Sequence, residues 1–312
     1  MTIVDYSRMI KLKSKDQDAI LFYLLKAIAL VVIGLLFAII TVLIHAAWPS
    51  IKLNGLNFLL SSEWNPVFDE YGALAFIFGT IITSLIALFL ATPVSIFIAL
   101  FITEYLPKSI SNYVGILIEM IAAIPSIVFG LWGIFYLAPF VKDTLAPFLK
   151  SYFGFIPFFQ GPSFGIGILT ASLILSIMIV PTICSICRSI FEIIPNIQKE
   201  ASYALGSTKF EMIKLAVLKP SVSGITSAII LGLGRALGET MAVTMLIGNS
   251  PVISSSFFSP AATMASVMAN EYADANTELH ISSLCYLALL LFLITFLSNL
   301  IAKTIVKSFS TR

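Results

Sequence analysis

Residues 232–244 read GLGRALGETMAVT and place Arg235 and Glu239 near the middle of the apolar run 222–248. An apolar run of this length predicts a helix that crosses a bilayer. An arginine at the centre of such a helix costs about 2.5 kcal/mol or more on insertion scales, so it normally faces a bundle interior or a water-filled cavity. Glu239 follows Arg235 by four residues, which predicts that the two side chains lie on one helix face and pair there. We interpret the two residues as a substrate gate in an anion path. The alternative is an ion pair whose only role is to hold helices together.

The composition of the whole chain agrees with this interpretation. Of its 312 residues, 59% are hydrophobic and 11% are charged, and the mean hydropathy is +1.02. Soluble domains are about 45–50% apolar and about 25% charged, so a soluble fold of this size could not bury so much apolar surface. Soluble enzymes, nucleic-acid-binding proteins and disordered scaffolds are therefore excluded. The net charge of +2 is too small to indicate a polyanionic partner, and we expect no nucleic acid to bind.

Six apolar runs in the chain have the length of a membrane span. They lie at about 20–48, 72–103, 113–140, 164–187, 222–248 and 281–302. Pro125 interrupts the third run, which a helix bundle tolerates because neighbouring groups satisfy the freed backbone. The predicted fold class is all-α, a polytopic membrane protein with six transmembrane helices.

The distribution of Lys and Arg predicts which side of the membrane each connection faces. With the N-terminus inside, fourteen of the 18 Lys and Arg residues fall in inner segments and three in outer segments, and Arg235 lies within a span. Cytoplasmic connections of membrane proteins are enriched in Lys and Arg. We therefore predict a multi-pass protein of the cell inner (cytoplasmic) membrane with both termini in the cytoplasm.

The connection between the fourth and fifth spans, about 188–221, has the pattern of two short helices joined at Gly206. Apolar residues recur at helical spacing before that glycine, and the sequence TKFE from Thr208 to Glu211 is a capping box that starts a helix. Pro220 predicts that the second helix ends before the fifth span. Each helix has one apolar face, so we interpret the segment as a rigid projection that docks a cytosolic partner. The alternative is an amphipathic hairpin resting on the lipid surface.

Residues 200–206, EASYALG, resemble the EAA loop of the permeases of binding-protein-dependent ABC importers. The resemblance implies that this loop, about 190–221, inserts into a groove on an ATP-binding subunit and transmits its motion. Ser202 replaces the second alanine of the family pattern, and Lys219 stands where the pattern has a proline, which is displaced to Pro220. The residues that the resemblance assigns to coupling with the ATPase are Glu200, Ala201, Gly206, Thr208 and Glu211.

The longer string GRALGETMAVTMLIGN, residues 234–249, is similar to the fifth-span signature of the PstC family of phosphate importer permeases. Residues 124–133, IPSIVFGLWG, resemble a third-span motif of that family, and the resemblance covers roughly 70–305. It implies the type I ABC importer permease fold and the translocation of inorganic phosphate. A guanidinium group suits phosphate because its planar, paired donors match the phosphate oxygens. The predicted substrate-pathway residues are Arg235, Glu239, Thr240 and Thr244.

The chain has no G-x-x-x-x-G-K-[ST] motif and therefore no Walker A phosphate-binding loop of its own. Inward movement of an anion is opposed by the membrane potential, at about 2.3 kcal/mol per charge per 100 mV. Accumulation must therefore be coupled to ATP or to an ion gradient. We predict a transporter subunit that is not an enzyme, with no catalytic residues, metal or cofactor in this chain, and with ATP and Mg bound by partner ATPase subunits.

The resemblance also implies a complex in the lipid membrane. Its members would be a second, PstA-like permease, two PstB-like ATP-binding subunits and a periplasmic, PstS-like phosphate-binding protein. Two alternatives stay open: an ABC permease for another oxyanion, such as molybdate or sulfate, and an ion-coupled secondary transporter that needs no ATPase. The predicted organisation is a tail, first span and first outer loop over 1–70, a permease core over 71–305 and a cytoplasmic tail over 306–312.

Overall fold

The computed structural model describes the backbone of residues 3–310 and the side-chain surroundings of residues 18–304. Part of the charge pattern that predicts the orientation lies outside the described side chains, namely Arg8, Lys11, Lys13, Lys15, Lys307 and Arg312. The orientation in the membrane therefore stays a prediction.

Helices account for most of the described chain. In order they are α1 (Ile3–Asn54), α2 (Asn57–Leu60), α3 (Leu74–Tyr105), α4 (Lys108–Ala122), α5 (Ser126–Phe153), α6 (Ile168–Ile193), α7 (Asn196–Ala204), α8 (Lys209–Leu237), α9 (Met241–Ile247), α10 (Met264–Glu271) and α11 (Glu278–Ser310). Within the described residues, six of them, α1, α3, α5, α6, α8 and α11, are long and apolar enough to cross a membrane. The predicted all-α fold with six spans is confirmed.

The central helix of the bundle is α6, most of whose apolar residues are buried within the protein. Helix α3 packs along it through a stripe of small buried residues spaced four apart, Ala87, Ala91, Ser95 and Ala99. The hydroxyl of Ser95 donates to the carbonyl oxygen of Val180 in α6 at 3.2 Å. Small residues at this spacing let two backbones approach closely, which is how helices associate without a hydrophobic driving force between them. Bulky side chains such as Phe89 and Phe97 point away from this contact and are exposed.

A second packed cluster joins α1, α11 and a short hairpin at one end of the bundle. The hairpin pairs β1 (Trp64–Asn65) with β2 (Glu70–Tyr71) in antiparallel register. The ring of Phe58 stacks on Tyr286 with centroids 4.4 Å apart, and the hydroxyl oxygens of Ser50 and Ser283 are 3.0 Å apart. These contacts hold the end of α1 against α11, whereas the 18-residue apolar core of α1 is not buried against any other described helix.

The third span differs from its predicted bounds of 113–140. The break at Pro125 is present, but it separates the shorter helix α4 from the span itself, which is α5. Helix α5 also runs on to Phe153, beyond the predicted end of the third span at 140, so Lys142 and Asp143 are helical.

Wide helical turns explain why α5 continues through its prolines. Five-residue turns with π-type hydrogen bonding, Gly133–Leu137 and Val141–Leu145, end two residues before Pro139 and Pro147. A proline ring normally clashes with the carbonyl group four residues earlier, and the extra residue of a wide turn displaces that group. In α5, therefore, each of these prolines follows a widened turn and does not end the helix.

We expect accessibility labelling to report the predicted orientation. In a chain lacking Cys184, Cys187 and Cys285, a single cysteine at exposed position 60 or 272 should react with an impermeant thiol reagent added outside the cell. A cysteine at exposed position 205 should react only after the inner face is opened. Labelling of position 272 from the inside alone would contradict the six-span topology with cytoplasmic termini.

Candidate functional site

The fifth span is broken at the position of its two charged residues. Helix α8 ends at Leu237, and α9 begins at Met241 after a short irregular segment at Gly238, Glu239 and Thr240. The prediction of one continuous helix over 222–248 is therefore wrong. Glycine costs about 1 kcal/mol relative to alanine inside a helix, which makes Gly238 a suitable place for the chain to leave α8.

The break separates Arg235 from Glu239, so the predicted ion pair is wrong as well. Among the described residues, no carboxylate oxygen lies within 4.0 Å of the Arg235 guanidinium. A carboxylate oxygen of Glu239 instead accepts from the backbone N–H of Ala242 at 3.4 Å, at the start of α9. A negative charge at a helix N-terminus is stabilised there by the unpaired N–H groups. The negative charge of Glu239 thus lies at the start of α9, whereas the positive charge of Arg235 lies in the last turn of α8.

The neighbour of Arg235 is a hydroxyl group from the central helix. Its Nη1 donates to Oγ1 of Thr182, near the middle of α6, at 3.4 Å. Gly232, one turn earlier, lets α8 approach α6, because a Cβ at that position would lie 2.8 Å from Cδ1 of Ile183. The positive charge is therefore held at mid-span by a neutral partner, which leaves its field available to an anion.

A cavity of about 550 Å³ lies beside Arg235. Its polar lining comes from three helices: Thr182 of α6, Ser227 and Arg235 of α8, and Asn299 of α11. Hydroxyl and amide groups supply donors without a further charge. The cavity can therefore bind an anion through one guanidinium and several neutral groups.

A second cavity, of about 420 Å³, is lined by Gly238 and Thr240 of the break together with residues of α10 such as Met268. Among the predicted pathway residues, Arg235 lines the first cavity and Thr240 the second. Thr244 lies one turn further along α9, where its hydroxyl donates to the carbonyl oxygen of Thr240 at 2.7 Å, and it lines neither of these two cavities.

The motif IPSIVFGLWG of residues 124–133 packs against α9. Gly130 faces Met245 and Ala242, where a Cβ would lie 2.6 Å from the sulfur of Met245. Gly133 faces Leu246 in the same contact. A larger residue at either glycine would push α9 away from α5. The motif of the third span therefore positions the short helix that follows the break.

The connection between α6 and α8 is the predicted pair of helices around a glycine turn. Gly206 has φ +84°, a left-handed conformation that favours glycine. The N–H of Gly206 bonds to the carbonyl of Tyr203 at 2.9 Å, and that of Ser207 to the carbonyl of Ser202 at 3.3 Å. This is the Schellman pattern of a helix end. The hydroxyl oxygens of Ser202 and Ser207 also lie 2.7 Å apart, so the serine that departs from the EAA pattern tightens the turn.

The second helix of the connection begins at the predicted capping box. The N–H of Thr208 donates to a carboxylate oxygen of Glu211 at 2.8 Å, and the N–H of Glu211 donates to Oγ1 of Thr208 at 3.4 Å. The prediction that Pro220 ends this helix is wrong, because α8 runs without interruption from Lys209 to Leu237. A wide turn at Ile213–Leu218 again precedes the proline by two residues. The helix that starts in the connection is therefore the helix that carries Arg235.

The connection projects apolar side chains away from the bundle. Ile197, Leu205 and Phe210 are 72%, 90% and 74% exposed, and Glu200 and Ala201 are exposed beside them. On the opposite face, the buried residues Met212, Ile213 and Val217 anchor the segment. The segment is thus fixed on one side and presents an apolar surface on the other.

The sequence matches known membrane transport proteins over most of its length. Residues 91–312 match the family described as binding-protein-dependent transport system inner membrane component. The chain is 44% identical over 290 residues to the phosphate transport system permease protein PstC of Mesorhizobium japonicum, covering 92% of this chain and 89% of that protein. The chain belongs to the binding-protein-dependent transport system inner membrane component family.

Other relatives of this chain extend the comparison. The PstC protein of Pasteurella multocida is 46% identical, with 86% of this chain and 84% of that protein covered. The probable PstC protein of Methanocaldococcus jannaschii is 36% identical, with 82% of each chain covered. A chain of the inward-facing MetNI methionine ABC transporter superposes with a TM-score of 0.54 at 15% identity, covering 75% of this chain and 96% of that one. That likeness shows a shared fold.

Several candidate functional residues of this chain are not evident from the sequence. Thr182, Ser227 and Asn299 line the Arg235 cavity but stand far apart along the chain. Asn299 carried a signal, because it is an amide within the apolar run 281–302. Thr182 and Ser227 resemble the many hydroxyl residues that bond to their own helix, and only the packing of α6 on α8 distinguishes them.

Proposed function

We propose that this chain is the permease subunit of an ABC importer that moves inorganic phosphate across the cytoplasmic membrane. The observation that carries the proposal is Arg235, a guanidinium at mid-span that bonds to the neutral Thr182 and lines a cavity together with hydroxyl and amide side chains. An arginine at this position in a membrane span is energetically costly, and such residues usually face the bundle interior or line a substrate or ion pathway. The relatives named phosphate transport permeases support phosphate as the anion.

The site has the chemistry that tetrahedral phosphate needs. The guanidinium of Arg235 offers parallel N–H donors to two phosphate oxygens. The hydroxyl of Thr182 and the amide of Asn299 can donate to the remaining oxygens, and Ser227, whose hydroxyl donates to the carbonyl oxygen of Ser223 at 2.9 Å, can accept from a protonated one. The guanidinium is the single full charge among the described residues of this lining. The anion is therefore attracted without being held too tightly, which matters because transport requires release.

The break in the fifth span suits a gate, because Arg235 before it and Thr240 within it line different cavities. Phosphate enters the cavity lined by Thr240, passes segment 238–240 and reaches the cavity lined by Arg235. The start of α9, where Glu239 caps the helix, then separates the anion from the outside. The two helices α8 and α6 touch at Gly232, one turn from Arg235. Movement of α8 relative to α6 therefore changes the position of Arg235 relative to α6.

ATP hydrolysis belongs to partner subunits in this proposal. The exposed apolar surface of the α6–α8 connection inserts into an ATP-binding subunit, and two such subunits serve a pair of permeases. The second permease is PstA-like, and a periplasmic, PstS-like protein delivers phosphate to the outer face. ATP and Mg are held by the ATP-binding subunits, and this chain carries no cofactor. Both termini lie in the cytoplasm of the cell, and lipid surrounds the bundle.

Transport by the purified complex in liposomes tests the function. With the receptor outside and ATP inside, we expect uptake of labelled phosphate that stops when ATP is omitted. Excess unlabelled phosphate should compete with the label, whereas sulfate and molybdate should not. Uptake that continues without ATP and collapses when ion gradients are dissipated would establish a secondary transporter instead. Preferred uptake of sulfate or molybdate would establish a permease for another oxyanion.

A further inference from the structure

The inner end of α3 finishes in a wide turn, Phe101–Tyr105. The N–H of Leu106 closes it by bonding to the carbonyl of Phe101 at 3.3 Å, and Pro107 follows. A turn of this kind changes the directions in which the last side chains point, relative to a regular helix. Two of them, Glu104 and Tyr105, contact the connection between α6 and α8.

Glu104 forms an ion pair with the first helix of the connection. The ammonium of Lys199 in α7 donates to Oε1 of Glu104 at 2.5 Å. The side chains are 5% exposed for Glu104 and 18% exposed for Lys199. Exposed ion pairs contribute little, but loss of one partner from a buried pair leaves an uncompensated charge and is costly. The contact between α3 and α7 is therefore held firmly.

Tyr105 contacts the second helix of the connection. The ammonium of Lys209, the first residue of α8, lies 3.8 Å from the centroid of the Tyr105 ring. An ammonium over an aromatic face is attracted by the ring quadrupole. Lys199 and Lys209 lie on opposite sides of the Gly206 turn, so two adjacent residues of α3 hold both helices of the connection.

A continuous series of contacts leads from this turn to the Arg235 cavity. Helix α3 packs on α6 through its small-residue stripe, and Ser95 bonds to the carbonyl oxygen of Val180. Thr182, two residues further along α6, bonds to Arg235. The connection is thus joined to Arg235 by two series of contacts. One runs directly along α8, and the other runs through α3 and α6.

We infer that Glu104 and Tyr105 form a second mechanical linkage, through which movement of the α6–α8 connection is transmitted to α3 and from there to Thr182 beside Arg235. The inference rests on the proposed function, since the movement is supplied by the ATP-binding subunits. Glu104, Lys199, Tyr105 and Lys209 are positioning residues, because they contact neither cavity-bound anion nor ATP. Their role is to move α3 and α8 together.

The test measures phosphate moved per ATP hydrolysed in the full reconstituted complex. In Glu104→Gln, which preserves size and removes the charge, we expect this ratio to fall by about fivefold to tenfold, the coupling typical of residues in one salt-bridge network. Lys199→Met should lower it similarly, and the double variant should be no worse than either single one. The exchange Glu104→Lys with Lys199→Glu should recover much of the ratio, because it restores the pair in reverse.

Lys303→Met provides the matched control. Lys303 is an exposed lysine of α11, outside the connection, that makes no ion pair within the described residues, and its loss should leave the ratio unchanged. Ratios in Glu104→Gln and Lys199→Met equal to that control would overturn the linkage. Loss of the ATP-binding subunits from Glu104→Gln would also overturn it, because the pair would then be a structural brace. Failure of the proposed function is distinct, since the unsubstituted complex would then not take up phosphate.

Discussion

Phosphate uptake is expected to fall by about 100-fold or more in Arg235→Gln. In the proposed site Arg235 and the bound phosphate form a charge pair, and truncating one partner of a desolvated charge pair typically costs that much. The glutamine keeps a polar side chain beside Thr182 but removes the single full positive charge named in the cavity lining. Insertion and assembly should persist, since the substitution does not alter the exposed surface of the α6–α8 connection. Labelled phosphate uptake and co-purification of the ATP-binding subunits measure the two effects separately.

Arg235→Lys distinguishes two ways in which the charge can act. Lysine keeps the charge but loses the planar fork of donors. If Arg235 binds phosphate through paired hydrogen bonds, the lysine variant should fail nearly as severely as glutamine. If only its field matters, much of the uptake should survive. Lys303→Gln is the control, because it removes one exposed positive charge that lines neither of the two cavities. Normal uptake by Arg235→Gln would show that the residue is structural.

The second large effect is expected at the turn of the connection. Gly206→Val places a β-branched residue at φ +84°, which costs about 1–3 kcal/mol of backbone strain. We expect the two helices to lose their fixed angle and uptake to fall at least about tenfold, with normal insertion of the chain. The ratio of phosphate moved to ATP hydrolysed should fall with it, since the ATPase would bind poorly or turn over without transport.

Gly206→Asn is the matched variant for this prediction. Asparagine tolerates the left-handed conformation, and a side chain at Gly206 meets open space, because no atom outside the turn lies within 4 Å of the Cβ position. Asparagine should therefore retain much of the uptake that valine loses. Equal and normal uptake in both variants would show that the angle of the turn does not matter. Equal loss in both would indicate that the surface of the turn, and not its conformation, is recognised.

Local sequence rules predicted the connection well, because its geometry depends on neighbouring residues. A left-handed glycine and the capping box of Thr208 and Glu211 need partners within three to five residues, and both are confirmed. The same rules failed at Pro220, where a proline was expected to end the helix. Whether a helix stops or widens at a proline depends on the packing of the turns around it, and here α8 continues.

The candidate site shows the same division. The importance of the arginine in the fifth span could be inferred from the free-energy cost of placing a charge in a membrane. The assignment of Arg235, Glu239, Thr240 and Thr244 to the substrate pathway stays a prediction. Helical spacing predicted a pair between Arg235 and Glu239, but that rule assumes an unbroken helix. The chain breaks at Gly238, and the carboxylate caps α9. The neutral partner, Thr182, lies 53 residues away along the chain and could not be selected by spacing.

The sequence by itself determined the class of protein, the number of spans, the presence of a charge within the fifth span, and the glycine turn and capping box of the connection. Each of these depends on the solvent preference of a run of residues or on contacts within one or two turns. The tertiary structure decided the break in the fifth span, the neutral neighbour of Arg235 and the hold of α3 on both helices of the connection. These depend on how closely distant helices approach, which small residues such as Ala91 and Gly232 permit and which no local pattern specifies.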